Sequence, residues 1–250
     1  MVIIVAAILS SAASFLKPYQ ERNARVEKIN DILKSVRVVV DKSEAEKVYD
    51  ELIVAEYAIN PKGEIVSKYE NGELQGDIRP FDLNLKTEQK KLADMKAGKQ
   101  TDEPLFPIFV CRKNDSTFYV IPLRGKGLWG PVWGNISLLD DFRTVYGVTF
   151  GHKGETPGLG AEIATPHFMN QFRQGKTIFD DNYNFTSVAV VKGGIATLPP
   201  EQQTHGVDAI SGGTITSKGV SAMLHDCLEF YIPFIKSQIG AKSEPAGAEG

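Results

Sequence analysis

The feature that most constrains this chain is a glycine- and hydroxyl-rich segment, residues 208–220, that runs directly into an apolar stripe over residues 220–231. The stripe has a helical period, so it predicts an amphipathic helix with one buried side. We expect Thr216 or Ser217 to cap that helix. The turn before it would then present free backbone N–H groups and the positive end of a helix dipole, which favour a phosphate. The pattern is also typical of a capped helix start that binds nothing, and many such helix starts bind no ligand.

Two more glycine-rich segments lie upstream. Residues 124–134 hold four glycines around Trp129 and Trp133, and indole can either fill a core or stack on a flat ring system. Residues 151–160 hold four glycines and a proline between a predicted strand and a predicted helix. Their backbone amides and the Thr156 hydroxyl can face a ligand, although loops of this kind are often purely structural.

The string Ser211-Gly-Gly-Thr214, with Asp208 three residues before the serine, resembles the flavinylation motif of the FMN-binding domain family. In that family a flavin transferase joins FMN through its phosphate to the hydroxyl of the last threonine. The resemblance therefore implies a covalent phosphoester on Thr214, with Thr216 as the alternative acceptor. The family usually has alanine before the acceptor, where this chain has Gly213.

The two upstream segments extend the resemblance. Residues 155–160 resemble the loop that cups the isoalloxazine ring in this family, and residues 127–130 resemble a signature typical of the C subunit of the sodium-translocating NADH:quinone reductase. The resemblance implies an electron-transfer subunit that works with the other subunits of that six-subunit complex. The G subunit of the Rnf electron-transport complex is the alternative, since it shares the other two motifs.

The residues that the resemblance places at the FMN site all lie in these three segments. They are Trp129 in the first, Glu155, Thr156, Gly158 and Leu159 in the second, and Asp208, Ser211, Gly212, Gly213, Thr214, Thr216 and Lys218 in the third. We expect Leu159 and Trp129 to pack on or beside the ring, and Glu155 and Thr156 to contact its polar edge or to organise the loop. Lys218 either offsets the phosphate charge or is a solvated lysine. No nucleophile or acid–base pair suggests a catalytic residue.

Composition argues against other classes of function. The 250 residues carry a formal net charge of −3 with scattered basic side chains, which does not suit nucleic-acid binding. Cys111 and Cys227 are far apart and have no histidine companions, so we expect buried free thiols and no metal site. Two further hypotheses stay open beside the covalent carrier: a domain that binds FMN reversibly, and a membrane-anchored scaffold without flavin.

Residues 2–16 are apolar or small and carry no charge. This predicts a single N-terminal membrane anchor over residues 1–16, a few residues short of the roughly 20 that a spanning helix needs. A secretory signal is the rival interpretation, without a basic stretch before it. The basic residues after residue 16 hint at a cytoplasmic body, whereas the resemblance implies a body on the periplasmic side of a bacterial inner membrane.

The remaining pattern predicts the fold. Two strand-like runs at 105–111 and 117–123 predict a hairpin, and short strands without regular helix alternation predict an α+β fold with a twisted, largely antiparallel sheet and flanking helices. Behind the anchor we expect a membrane-proximal helix and accessory segment over 17–104, the FMN-binding domain over 105–240, and a disordered tail over 241–250. Within 17–104, residues 67–103 are charged and predict a peripheral, partly irregular insertion.

Overall fold

The computed structural model of the chain describes residues 2–243. Its helices are α1 (Val2–Ser35), α2 (Ala45–Leu52), α3 (Leu85–Lys96), α4 (Pro166–Asn170) and α5 (Thr214–Ser243). Its strands are β1 (Ile53–Ile59), β2 (Ile65–Glu70), β3 (Glu73–Gln75), β4 (Phe106–Lys113), β5 (Ser116–Lys126), β6 (Pro131–Leu138), β7 (Val145–His152), β8 (Ala189–Val191) and β9 (Gly206–Asp208).

Seven of these strands form one sheet in the order β3-β2-β1-β4-β5-β6-β7. Every neighbouring pair in it is antiparallel, while β8 and β9 form a separate parallel pair. The prediction of an α+β fold with a largely antiparallel sheet and flanking helices is confirmed. Strands from both sides of residue 104 pair in this one sheet, since β1 lies beside β4.

The sheet separates two apolar cores. Ile121 and Leu123 of β5 pack with α5, whereas Phe118 and Val120 of the same strand pack with α1. Because successive strand residues point to opposite faces, α5 and α1 cover opposite faces of the sheet. The predicted stripe of α5 is buried, and the hydroxyl of Tyr231 donates to the Pro107 carbonyl oxygen at 3.1 Å.

The predicted hairpin is present, with a tighter turn than expected. Strands β4 and β5 pair up to Lys113 and Ser116, so only Asn114 and Asp115 form the turn. Both have left-handed backbone angles, φ 48° and 59°, which is the requirement of a two-residue type I′ turn. Cys111 and Cys227 are buried and unpaired, as predicted.

Helix α1 is continuous through the predicted anchor and the predicted membrane-proximal helix. Its C-terminal half is buried at Ile29 and Ile32, while Val2 and Phe15 in its N-terminal half are more than 70 % exposed. Within residues 2–243, no helix has the length and apolar character needed to cross a membrane. The predicted membrane-spanning segment over 1–16 is therefore not confirmed.

Residues 67–103 are more ordered than predicted. They complete β2 and contain β3, a 3-10 turn at Pro80–Asp82 and α3. Phe81 is buried, with its ring centroid 5.6 Å from that of Tyr49, and the Arg79 guanidinium pairs with the Glu56 carboxylate at 2.6 Å. The order of this segment depends on a few isolated residues that make buried contacts. Because most of the segment is charged, its composition did not predict them.

The prediction of a disordered tail over 241–250 is wrong at its start. Helix α5 runs on through residues 241–243, the start of the predicted disordered tail. The rest of that predicted tail, residues 244–250, lies outside the described residues.

Candidate functional site

The site is built around the start of α5, which begins at Thr214, earlier than predicted. The Gly213 carbonyl oxygen accepts the first helical hydrogen bond, from the Ser217 N–H at 2.8 Å. Thr216 and Ser217 therefore lie inside the first turn and do not cap the helix. Because a helix leaves its first N–H groups without intrahelical acceptors, residues 214–216 present donors at the end where the dipole is positive.

The two candidate acceptor hydroxyls have different environments. Thr214 is exposed, and its hydroxyl has no hydrogen-bond partner among residues 2–243. Thr216 is 1 % exposed, and its hydroxyl donates to Oε2 of Glu155 at 2.5 Å. Thr214 thus has the accessible hydroxyl of the two, whereas the Thr216 hydroxyl is buried in a hydrogen bond to Glu155.

Glu155 connects the three glycine-rich segments. Its carboxylate is 5 % exposed and accepts from the Trp129 backbone N–H at 2.9 Å as well as from Thr216. Its own N–H donates to Nδ1 of His152 at 3.2 Å. These contacts join the loop to its neighbours, and a contact of Glu155 with the ring stays a prediction.

Gly160 makes this arrangement sterically possible. A Cβ atom at this position would lie 2.4 Å from Oε2 of Glu155 and 2.5 Å from Oγ1 of Thr216. Any larger residue would separate the second segment from α5. The close approach at Gly160 therefore requires glycine.

Gly213, where the family usually has alanine, is a different case. A Cβ atom here would lie 3.0 Å from Cγ2 of Ile210 and 3.4 Å from the Leu159 carbonyl carbon. The backbone is not left-handed at this position, and a shift of a few tenths of an ångström in Ile210 would admit alanine. The departure from the family pattern leaves the local geometry compatible with either residue.

Two cavities meet at Thr214 and Gly212. The first, about 210 Å³, is also lined by Leu128, Glu155, Thr156, Leu159, Gly160, Gly213, Ile215 and Thr216. The second, about 440 Å³, is also lined by Val190, Lys192, Gly193, Gly194, Asp208, Ala209, Ile210, Ser211, Ser217 and Lys218. The exposed Thr214 hydroxyl thus borders an apolar-rimmed cavity on one side and a cavity with two lysines on the other.

The structure brings together ten of the twelve predicted site residues. Trp129 and Gly158 line neither cavity, and the Trp129 side chain is 67 % exposed. Asp208 orders the second cavity, because its Oδ1 accepts from the Ile195 N–H at 2.7 Å. Lys218 lines that same cavity.

Sequence reasoning missed ten of the lining residues, among them Leu128, Lys192 and Ile215. Leu128 and Ile215 each stand beside a predicted residue in the sequence, and that position was the available signal. The structure leaves both residues exposed, at 45 % and 56 %. Lys192 precedes a Gly-Gly pair. Its place opposite α5 follows from the pairing of β8 with β9, which the sequence does not show.

The residues present fit an FMN group. Leu128 and Leu159 supply partly exposed apolar surface at the rim of the first cavity, which suits a flat ring system. The start of α5 and the side chains of Lys192 and Lys218 suit a phosphate at Thr214. The Thr214 hydroxyl supplies the oxygen that a phosphoester needs.

A third cavity, about 360 Å³, lies between α1 and strands β5 and β6. It is lined by Asp31, Trp133 and Asn135 among others, and by none of the predicted site residues. Burial raises the pKa of Asp31 from 3.8 to about 6, with Lys34 opposing the shift and Glu27 adding to it.

Comparisons with known proteins show which proteins this chain resembles in sequence. Residues 127–229 match the FMN-binding domain family. The chain is 32 % identical over 217 residues to the C subunit of the Na(+)-translocating NADH-quinone reductase of Vibrio campbellii, covering 85 % of this chain and 81 % of that one. It is 31 % identical over 255 residues to the protein of the same name from Neisseria meningitidis, covering 99 % and 92 %.

A solved structure of a protein with the same name has a similar fold. The crystal structure of the C subunit of the Na(+)-translocating NADH-quinone reductase from Parabacteroides distasonis superposes with a TM-score of 0.73 at 41 % identity. The match covers 88 % of this chain and 96 % of that one. The fold and the sequence therefore lead to the same group of proteins.

Proposed function

Because this chain belongs to the family of the C subunit of the Na+-translocating NADH-quinone reductase, we propose that it relays electrons in that complex through an FMN joined to Thr214 by a phosphoester. The observation that carries the proposal is the accessible Thr214 hydroxyl, which stands at the start of α5 between two cavities of different chemistry. The relatives' names support the complex, and the match of residues 127–229 to the FMN-binding domain family supports the cofactor.

The chain's own residues hold and position the cofactor. When bound, FMN supplies chemistry that no side chain has: it takes up two electrons and can release them singly. Leu128 and Leu159 offer apolar contact to its ring, while Lys192 and Lys218 offset the charge of its phosphate. A covalent tether at Thr214 prevents loss of the cofactor and fixes how far the ring can reach.

Attachment at Thr214 rather than Thr216 follows from accessibility. A flavin transferase must bring its donor to the acceptor oxygen, and Thr216 is 1 % exposed with its hydroxyl bonded to Glu155. Modification of Thr216 would require the first turn of α5 to open. We therefore propose Thr214 as the acceptor and the flavin transferase as the maturation partner.

The test is the intact mass of the chain after co-expression with an active flavin transferase, followed by peptide mapping. We expect a gain of one FMN less one water on the peptide that contains Thr214, and no gain in Thr214→Val. Thr216→Val is the matched control and should remain modified. An unmodified parent chain, beside a second substrate that the same transferase does modify, would contradict the covalent link. Flavin released by denaturation would instead indicate reversible binding.

We also propose attachment to the bacterial inner membrane through the N-terminal half of α1, with the body on the periplasmic side. The support is the exposed apolar surface of that half, including Val2, Leu9 and Phe15, together with the family. The test is protease digestion of right-side-out and inverted membrane vesicles. The proposal expects cleavage of the body only in right-side-out vesicles, and cleavage only in inverted vesicles would reverse the orientation.

A further inference from the structure

The wall of the first cavity contains a buried acid, Glu155, that has no cation beside it. The side chain is 5 % exposed. Among residues 2–243, no lysine, arginine or histidine nitrogen lies within 4.0 Å of its carboxylate. Buried acids usually have an ion-pair partner, so a buried Glu155 without one is unusual.

Both carboxylate oxygens of Glu155 accept hydrogen bonds. Oε1 accepts from the Trp129 N–H at 2.9 Å, and Oε2 accepts from the Thr216 hydroxyl at 2.5 Å. The two donors hold the carboxylate in place. Both donors are neutral, so neither brings a positive charge to the carboxylate.

This carboxylate stands beside the place proposed for the flavin. Glu155, Leu128, Leu159 and the attachment residue Thr214 line one cavity. A charge in a partly buried site acts more strongly on its neighbours than a charge in water, because the surroundings screen it less. Salt in the solvent likewise screens a buried charge less than an exposed one.

We propose that the Glu155 carboxylate lowers the reduction potential of the flavin held at Thr214. Reduction brings two electrons from an external reductant onto the ring, and a neighbouring unscreened anion disfavours the added negative charge. Glu155 is thus a positioning residue through its two hydrogen bonds and a determinant of the potential through its charge. The inference rests on the proposed function, since it needs a flavin at Thr214.

Two variants separate charge from geometry. Glu155→Gln removes the charge and keeps the shape: its amide oxygen can still accept from the Trp129 N–H, and its NH₂ group can donate to the Thr216 hydroxyl. Thr216→Val keeps the charge and removes one donor that offsets it. Glu229→Gln is the control: the same change at an exposed position of α5, about 22 Å along the helix axis from Thr214 at 1.5 Å per residue.

The measurement is the ratio of oxidised to reduced flavin against a reference dye at pH 8, made on protein whose FMN mass at Thr214 has been verified. Glu155→Gln should shift this ratio at least tenfold toward the reduced form, which is a rise of about 30 mV for two electrons. Thr216→Val should shift it at least threefold toward the oxidised form. Glu229→Gln should stay within twofold of the parent.

The outcomes keep the two proposals apart. A parent chain without FMN overturns the proposed function and this inference with it. FMN at Thr214 with an unchanged ratio in Glu155→Gln leaves the function standing and overturns the role of the charge. If Glu155→Gln does not fold, Thr216→Val decides: a purely structural role would loosen the loop without a shift toward the oxidised form, and that result overturns the inference.

Discussion

At the scale of single residues, Asp31 shows how burial acts on a charge outside the candidate site. Burial raises the pKa of Asp31 from 3.8 to about 6 in the folded chain. The folded state therefore binds the proton more tightly than the unfolded state, and stability falls as the pH rises through the window from about 4 to 6. Ionised Asp31 works against folding at neutral pH.

We predict that Asp31→Asn raises the free energy of unfolding at pH 8 by on the order of 2 kcal/mol, because each pKa unit corresponds to about 1.4 kcal/mol. The gain should largely vanish at pH 3.5, where the acid is mostly protonated in both states. Urea unfolding at the two pH values measures the difference. Asp102→Asn, at an exposed loop position, should change neither value, and an equal gain at both pH values would contradict the role of the proton.

Gly160 gives a second prediction at this scale. Gly160→Ala places a methyl group 2.4 Å from Oε2 of Glu155, so we expect a loss of about 1–3 kcal/mol of stability and less flavin attached. Gly154→Ala is the matched control in the same loop, since a Cβ there meets nothing within 4 Å. Thermal unfolding and intact mass measure both effects. Equal stability and equal flavin content in the two variants would show that the close approach at Gly160 does not require glycine.

At the scale of elements, α3 shows how a short helix is secured within a segment that the sequence suggested was irregular. Asn84 caps it, with its side-chain oxygen accepting from the Lys86 and Thr87 N–H groups at 3.0 and 3.3 Å. Gln89 then ties the helix to the sheet by donating to the Arg124 carbonyl oxygen at 2.7 Å. Neither the cap nor the contact to β5 was predicted from the sequence.

We predict that Asn84→Ala lowers the free energy of unfolding by about 1 kcal/mol, the usual effect of losing such a cap. Chemical denaturation at pH 8 measures it. Asn182→Ala makes the same change in an exposed turn where the side chain has no hydrogen-bond partner among residues 2–243, and it should stay within about 0.5 kcal/mol of the parent. A smaller effect at Asn84 than at Asn182 would mean that the cap contributes nothing.

At the scale of the whole molecule, α1 joins an exposed apolar half to a half that is part of the core. Val26 and Leu33 lie in the same buried cluster as Tyr49 and Phe109, while the residues before Arg25 are exposed wherever their side chains are described. The body should therefore fold without the N-terminal half of this helix.

We predict that a chain starting at residue 20 keeps the melting temperature of the full chain and still accepts FMN at Thr214. A chain starting at residue 31 also loses Val26 and Ile29, which are 8 % and 1 % exposed, and its melting temperature should fall sharply. Calorimetry and intact mass compare the two truncations. A loss of folding in the first truncation would show that the exposed half stabilises the body.

The sequence alone determined the α+β class, the hairpin between residues 105 and 123, the amphipathic character of α5 and the three glycine-rich segments of the candidate site. These depend on local periodicity, turn chemistry and motif order, which the chain carries in short stretches. Only the tertiary structure decided that Thr216 is buried against Glu155 while Thr214 is exposed, that Lys192 lines the same cavity as the start of α5, and that β2 and β3 extend the sheet. Those outcomes depend on which distant residues meet across the fold, and pairings between distant residues leave no periodic signal in the sequence.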